Sequence, residues 1–188
     1  MNRKQALDLA RAHTKNENLL RHMLAVEAAM RALADRLDGD PEAWGLAGLL
    51  HDADYEEVKE TAKKDHTKVL LNWLEDYDVT PEVRSAIAAH AWQYVEGAPE
   101  PQTPMEWALY TCDELTGLIV AVALVKGGNL SDVTVESVMK KWNQKSFAAG
   151  ANRDQIVLCE EKLDIKLEDF VEIVLQAMQN IKNDLGLK

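Results

Sequence analysis

Apolar positions recur along this chain at intervals of three and four residues, and no stretch alternates convincingly with the two-residue period of a half-buried strand. Residues 2 to 13 form a polar first helix. Asn16 is placed to cap the second, in which Leu19, Leu20, Met23, Met30, Leu33 and Leu37 draw an apolar stripe. Asp38-Gly39-Asp40-Pro41 ends that helix, and Pro41 suits the first turn of a third, which runs through Trp44, Ala47 and Leu50 into His51-Asp52. Gly45 and Gly48 cost helix propensity, and the compensation they predict is the close approach of a neighbouring helix. Beyond a polar segment the pattern predicts a helix over 63 to 77 and another from Thr80-Pro81-Glu82 to about Ala91. Residues 92 to 104, with three prolines and Gly97, read as the longest irregular connection, a lid or a surface loop. Thr103-Pro104 opens a long helix through Asp113 to about Val125, which Lys126-Gly127-Gly128-Asn129 breaks. Three more helices follow, over 134 to 143, 152 to 162 and 167 to 185, the last amphipathic through Phe170, Ile173, Val174, Ala177, Met178 and Ile181. The expectation is one all-α domain over 1–188, with a core region at 18–125 and a C-terminal helical extension at 130–188 packed on it.

Composition narrows what such a fold can do. With 188 residues and 47% hydrophobic content, the chain can bury one substantial core. A net charge of -11 and a pI near 4.9 exclude a general nucleic-acid-binding surface and a surface for anionic membranes, both of which rely on basic patches. Cys112 and Cys159 form no CxxC pair, and the N-terminal residues show no secretory pattern, so reduced thiols in a cytoplasmic protein are expected. The longest apolar run, Leu115 to Val125, is too short to span a bilayer and reads as a buried helix.

Chemistry enters where Leu49-Leu50 ends in His51-Asp52, an imidazole and a carboxylate side by side at the end of a run that wants to be buried. His22 lies on the border of the second helix's stripe. His66 precedes Val69, Leu70 and Trp73 in a core-facing register, and His90 follows Val83, Ala86 and Ile87 in the same register read backwards. Asp113 also points inward on the long helix, whereas His13 belongs to the polar surface. One core histidine or one buried aspartate has an ordinary structural explanation. Four histidines and two aspartates on inward faces, with few Lys or Arg residues to pair them, would need several such explanations, since an uncompensated buried carboxylate is costly. A shared metal supplies one. Imidazole nitrogen with carboxylate oxygen suits a divalent transition metal, one or two ions of Fe, Mn, Ni, Co or Zn, and is a poor match for Ca or Mg alone.

The order His22, His51-Asp52, His66, His90, Asp113 on an all-helical scaffold resembles the H…HD…H…H…D pattern of binuclear members of the HD-domain superfamily of metal-dependent phosphohydrolases, over roughly residues 18 to 125. The resemblance implies an HD-domain-like helical bundle with additional C-terminal helices. His22, His51, Asp52 and Asp113 would bind a first metal, and Asp52 would bridge to a second held by His66 and His90. Metal-activated water would then hydrolyse a small phosphorylated metabolite or nucleotide. One departure stands out: many members continue the dipeptide as Ile-Gly-Lys, where this chain has Ala53-Asp54-Tyr55. Arg21, Lys145 and Arg153 are the candidates to meet the substrate phosphate in place of that lysine, the last two because they flank a Gly-containing loop that opens a helix. Asp52 and Glu56 are the candidate catalytic residues, with Glu56 and Asp54 available to move a proton or to orient a ligand histidine. Two other readings fit the same ligands: an HD-fold di-iron oxygenase, left open by Tyr55 and Glu56, and a non-catalytic binding module stabilised by metal. The amphipathic last helix can pack on the domain or pair with a second copy to form a homodimer.

Overall fold

The computed structural model describes all of residues 1–188, and the chain is helical throughout, with no β-strand. Eleven α-helices follow in order: α1 (Arg3–His13), α2 (Glu17–Arg36), α3 (Pro41–Leu50), α4 (Ala62–Asp65), α5 (Lys68–Trp73), α6 (Pro81–His90), α7 (Pro104–Val125), α8 (Val135–Trp142), α9 (Arg153–Ile156), α10 (Leu158–Leu163) and α11 (Leu167–Asn180). Local chemistry sets many of their starts. The Asn16 side chain accepts from the backbone N–H groups of Asn18 and Leu19, Asp40 caps α3 ahead of Pro41, and Thr103 with Glu106 closes a reciprocal capping box on α7.

One continuous hydrophobic cluster joins the N-terminal and C-terminal helices. Met23 and Leu33 of α2, Leu50 of α3, Ile87 of α6, Leu115 and Ile119 of α7, and Phe170, Val174 and Met178 of α11 all belong to it. The central helix is α7, packed against α2, α6, α8, α9, α10 and α11. Leu115 to Val125 is only its second half. The whole helix is long and apolar enough to cross a membrane by length and composition, with a mean hydropathy of 1.7 over its most apolar 18 residues, but it serves here as the core helix of the bundle. The glycines of α3 behave as their cost implied: a Cβ at Gly48 would lie 2.8 Å from the Val26 carbonyl oxygen and 2.9 Å from the Glu27 Cα, so only glycine lets α2 and α3 meet this closely.

Three expected helices are divided or shortened. Between 59 and 76 the chain makes two short α-helices and two 3-10 turns instead of one helix, because Thr67 adopts φ +66 and breaks the run after His66. The loosened ends are satisfied from outside: Asp54 accepts the Leu70 N–H, and the Arg84 guanidinium donates to the carbonyls of Leu71, Leu74, Tyr77 and Val79. The helix expected over 152 to 162 is split at Val157 into α9 and α10. The last helix stops at Asn180 and turns through Gly186, at φ +68, so that buried Leu185 joins the core and the Lys188 backbone pairs with Gly128 and Ser131.

Candidate metal centre

Five segments bring six side chains to one point. His51 is the C-terminal cap of α3, Asp52 follows in the next turn, His22 comes from the first turns of α2, His66 from the break before α5, His90 from the last position of α6 and Asp113 from the middle of α7. His22 Nε2 stands 3.2 Å from His51 Nε2 and 2.9 Å from Asp113 Oδ1, with Asp52 Oδ2 at 3.8 Å and 3.7 Å from the two imidazoles. On the other side of the same carboxylate, Asp52 Oδ1 lies 3.2 Å from His66 Nε2 and 3.6 Å from His90 Nε2, which are 3.1 Å from each other. The two oxygens of Asp52 are thus divided between two pairs of imidazoles.

The back of each ring is fixed. His51 Nδ1–H donates to the Gly48 carbonyl at 2.8 Å and His90 Nδ1–H to the Ile87 carbonyl at 2.6 Å, acceptors that force the proton onto Nδ1. His66 Nδ1 meets Asp54 Oδ1 at 2.8 Å. Thr116 Oγ1 donates to the Asp113 carbonyl and so accepts from His22 Nδ1 at 3.3 Å. All four Nε2 lone pairs therefore converge on the centre in the neutral tautomers, an arrangement of facing lone pairs and carboxylates that fits a cation.

The charges agree. Burial opposes an imidazolium at His51, yet the carboxylates of Asp52 and Asp113 outweigh it and raise its pKa to about 9. His66 is also raised to about 9, where burial is overcome by hydrogen bonds to Asp52 and Asp54. At His90 burial wins and the pKa falls, helped by the positive His51 and His66. Against the same burial, His51, His66 and His90 hold Asp52 well below the usual carboxylate range, and His22 and His51 do so for Asp113. The cluster demands positive charge, from imidazole protons or from a metal that displaces them.

The HD domain family profile matches residues 19–118, more than half of the chain, and those residues hold all six side chains. This chain belongs to the HD domain family. Membership places it in a superfamily of metal-dependent phosphohydrolases whose members bind divalent metals. It is also similar to Ribonuclease Y from Desulforamulus reducens, 27% identical over 182 residues that cover 90% of this chain and 32% of that protein. Ribonuclease Y from Desulforudis audaxviator is 25% identical over 183 residues, with the same coverage. The chain spans about a third of the length of these relatives.

Beside these six side chains this HD domain opens a cavity of about 710 Å³. His22, Asp52, His66, His90 and Asp113 form its floor, and Tyr55, Trp92, Tyr94, Tyr110, Glu114 and the loop from Ala148 to Asn152 contribute to its walls. No Lys or Arg lines it. The expected phosphate-binding cations are engaged elsewhere or absent from the wall. The Arg21 guanidinium lies against the C-terminal turn, where a Cβ on Gly186 would come within 2.9 Å of it. Arg153 is a loop clamp, donating to the carbonyls of Trp142, Phe147, Ala148 and Ala151. Lys145 is exposed and outside the cavity. Glu56 also faces away: its Oε2 accepts the N–H groups of Lys15 and Asn16 at 2.8 Å each, ahead of α2. His13 stands apart from the cluster, its ring stacked 3.7 Å from that of Trp73 and its Nδ1 on Glu57.

Tyr55 occupies the position of the missing lysine. Its ring packs edge-on to His66 with centroids 5.2 Å apart, and its hydroxyl reaches that of Tyr94 at 3.4 Å. The hydrogen bond with Tyr94 and partial burial push its pKa up to about 12, which keeps it a neutral donor. The residues not anticipated from sequence are Thr116 and the wall formed by Trp92, Tyr94, Tyr110 and Glu114. Their signal was proximity to the ligands: Trp92 and Tyr94 follow His90 by two and four, and Tyr110 and Thr116 sit one helical turn to either side of Asp113.

Proposed function

We propose that this HD domain hydrolyses a small phosphorylated metabolite, and the division of Asp52's two oxygens between the His22–His51 pair and the His66–His90 pair is the observation that carries the reading. His22, His51, Asp52 and Asp113 would hold one divalent transition metal, and Asp52, His66 and His90 a second; Fe, Mn, Ni, Co and Zn all suit these donors. When bound, such ions supply a water of lowered pKa and polarise a phosphoryl oxygen.

The chain's own groups do the rest. Asp52 lies on the cavity floor, and its two oxygens, one toward each pair of imidazoles, would hold the two donor sets together beneath the substrate. Tyr55 and Tyr94, whose hydroxyls meet at 3.4 Å, bring neutral O–H donors to the cavity at the position where the family's His-Asp-Ile-Gly-Lys pattern has lysine. The Nδ1 partners of the four histidines keep every Nε2 aimed at the centre, and Thr116 and Asp54 prevent the rings from turning.

The named activity of the relatives supports a second reading, cleavage of RNA. The cavity argues for a small substrate instead, because a polyanion bound without any Lys or Arg along the wall of a chain of net charge -11 forgoes the counterion release that drives such binding. The test is purification with metal analysis, then anaerobic reconstitution with each of the five metals and assay against phosphate monoesters, nucleotides and an RNA oligonucleotide, with phosphate release and oxygen uptake recorded. Phosphate release that disappears in Asp52→Ala is the expected result. Oligonucleotide cleavage without monoester turnover would transfer the function to RNA, and iron-dependent oxygen uptake without phosphate release would establish an oxygenase.

A further inference from the structure

The wall beside Asp113 has an unusual composition for a phosphate-handling site. Tyr110 and Glu114 are one turn apart on α7 and share a face, with Gly117 continuing it. The Trp92 ring lies 5.5 Å from the Tyr110 ring, braced edge-on by Trp107 at 5.9 Å. Gly117 leaves the floor open, since a Cβ there would meet nothing within 4 Å. Glu114 is half-buried and has no ion-pair partner; its Oε2 accepts only the Asn152 N–H at 2.9 Å. A carboxylate held in a wall of aromatic rings, in a cavity without Lys or Arg, attracts a cation.

We propose that this wall recognises a cationic ammonium group on the organic part of the substrate, with the phosphate at the Asp52 end and the ammonium between Glu114 and the aromatic pair Trp92–Tyr110. The inference rests on the hydrolase reading for the position of the phosphate. A flat neutral base is the poorer occupant. Reading its edge draws on amide groups, and on this side Gln155 Nε2 is engaged by the Tyr110 carbonyl at 2.6 Å and Asn152 Oδ1 by the Gln155 N–H. A trimethylammonium or primary ammonium head needs only aromatic surface and a negative charge, and this wall contains Trp92, Tyr110 and Glu114.

A pair of isosteres separates charge from shape. Binding of phosphocholine and of 3,3-dimethylbutyl phosphate, which replaces the ammonium nitrogen by carbon, is measured calorimetrically on the metal-loaded protein beside adenosine monophosphate, and phosphate release from each is followed in parallel. Phosphocholine should bind about tenfold tighter than its neutral isostere. Glu114→Gln, which keeps an acceptor for the Asn152 N–H, should remove most of that difference, and Trp92→Leu should reduce it while thermal melting confirms that both variants fold. Equal binding of the two isosteres, or tighter binding of adenosine monophosphate than of either, would overturn the ammonium site even if all three are hydrolysed. A charge preference without phosphate release under any metal would instead overturn the hydrolase reading and leave the ammonium site standing.

Discussion

Asp54 holds His66 from behind, its Oδ1 meeting the His66 Nδ1 at 2.8 Å while its Oδ2 accepts the Leu70 N–H at 3.0 Å. Asp54 is fully buried, and Leu70 lies in the first turn of α5, the helix that follows the break at Thr67. One carboxylate therefore fixes both the ring that faces Asp52 Oδ1 and the backbone that carries it. The family's His-Asp-Ile-Gly-Lys pattern would put glycine here, so the fold itself makes use of the altered Ala53-Asp54-Tyr55 continuation.

Replacing Asp54 by Asn removes the charge behind His66 while leaving an acceptor for Leu70. The His66–His90 side should lose about 10- to 100-fold in metal affinity, with the His22–His51 side little changed. Titration with Mn or Co, read by calorimetry and by metal stoichiometry, separates the two sides; equal loss at both would mean that Asp54 supports the whole bundle and not one ring.

At Gly48 the space is decided by backbone. Gly48→Ala would put a methyl group 2.8 Å from the Val26 carbonyl oxygen and 2.9 Å from the Glu27 Cα, neither of which can swing aside. The α2–α3 packing should open at a cost of about 1–3 kcal/mol. Because His22 and His51 ride on those two helices, metal affinity should fall along with the urea midpoint.

Glu56 separates a structural carboxylate from a catalytic one. It receives two backbone N–H groups ahead of α2 and does not line the cavity. Glu56→Ala should cost about 1 kcal/mol, the scale of a helix cap. Its metal content and pH–rate profile should match those of the wild type; a rate lowered at unchanged stability would return Glu56 to the chemistry.

The bundle and the inward placement of the six side chains were legible because they depend on local rules. Capping residues, prolines and a 3.6-residue stripe mark α2, α3, α6 and α7, and His22, His90 and Asp113 fall on inward faces of those helices. His66 came out buried for a different reason from the one its register suggested. It lies at a break, with Val69 and Trp73 only half-buried, and a long-range bond from Asp54 holds it. The cavity wall was not legible. Whether Arg153 faces a substrate or four carbonyls of its own loop depends on how residues 142 to 151 fold back, which no spacing in the sequence specifies.

Glu106 gives the fold a pH dependence away from the metal ligands. Burial would raise its carboxyl pKa, but the Ser85 hydroxyl and the N–H groups of Gln102 and Thr103 outweigh burial and lower it from 4.5. The folded state therefore binds this proton less readily than the unfolded chain. Its contribution to stability is fully present above the unfolded value and is lost as pH falls through the lowered folded one. Glu106→Gln keeps the shape and removes the charge, so it should destabilise the protein at pH 7 by about 1–3 kcal/mol. Urea unfolding of both proteins at neutral pH and in steps below about pH 4.5 should show the gap narrowing as Glu106 is protonated in the wild type. A gap that stays constant across that range would assign the cost to altered packing at the start of α7 and not to the carboxylate's hydrogen bonds.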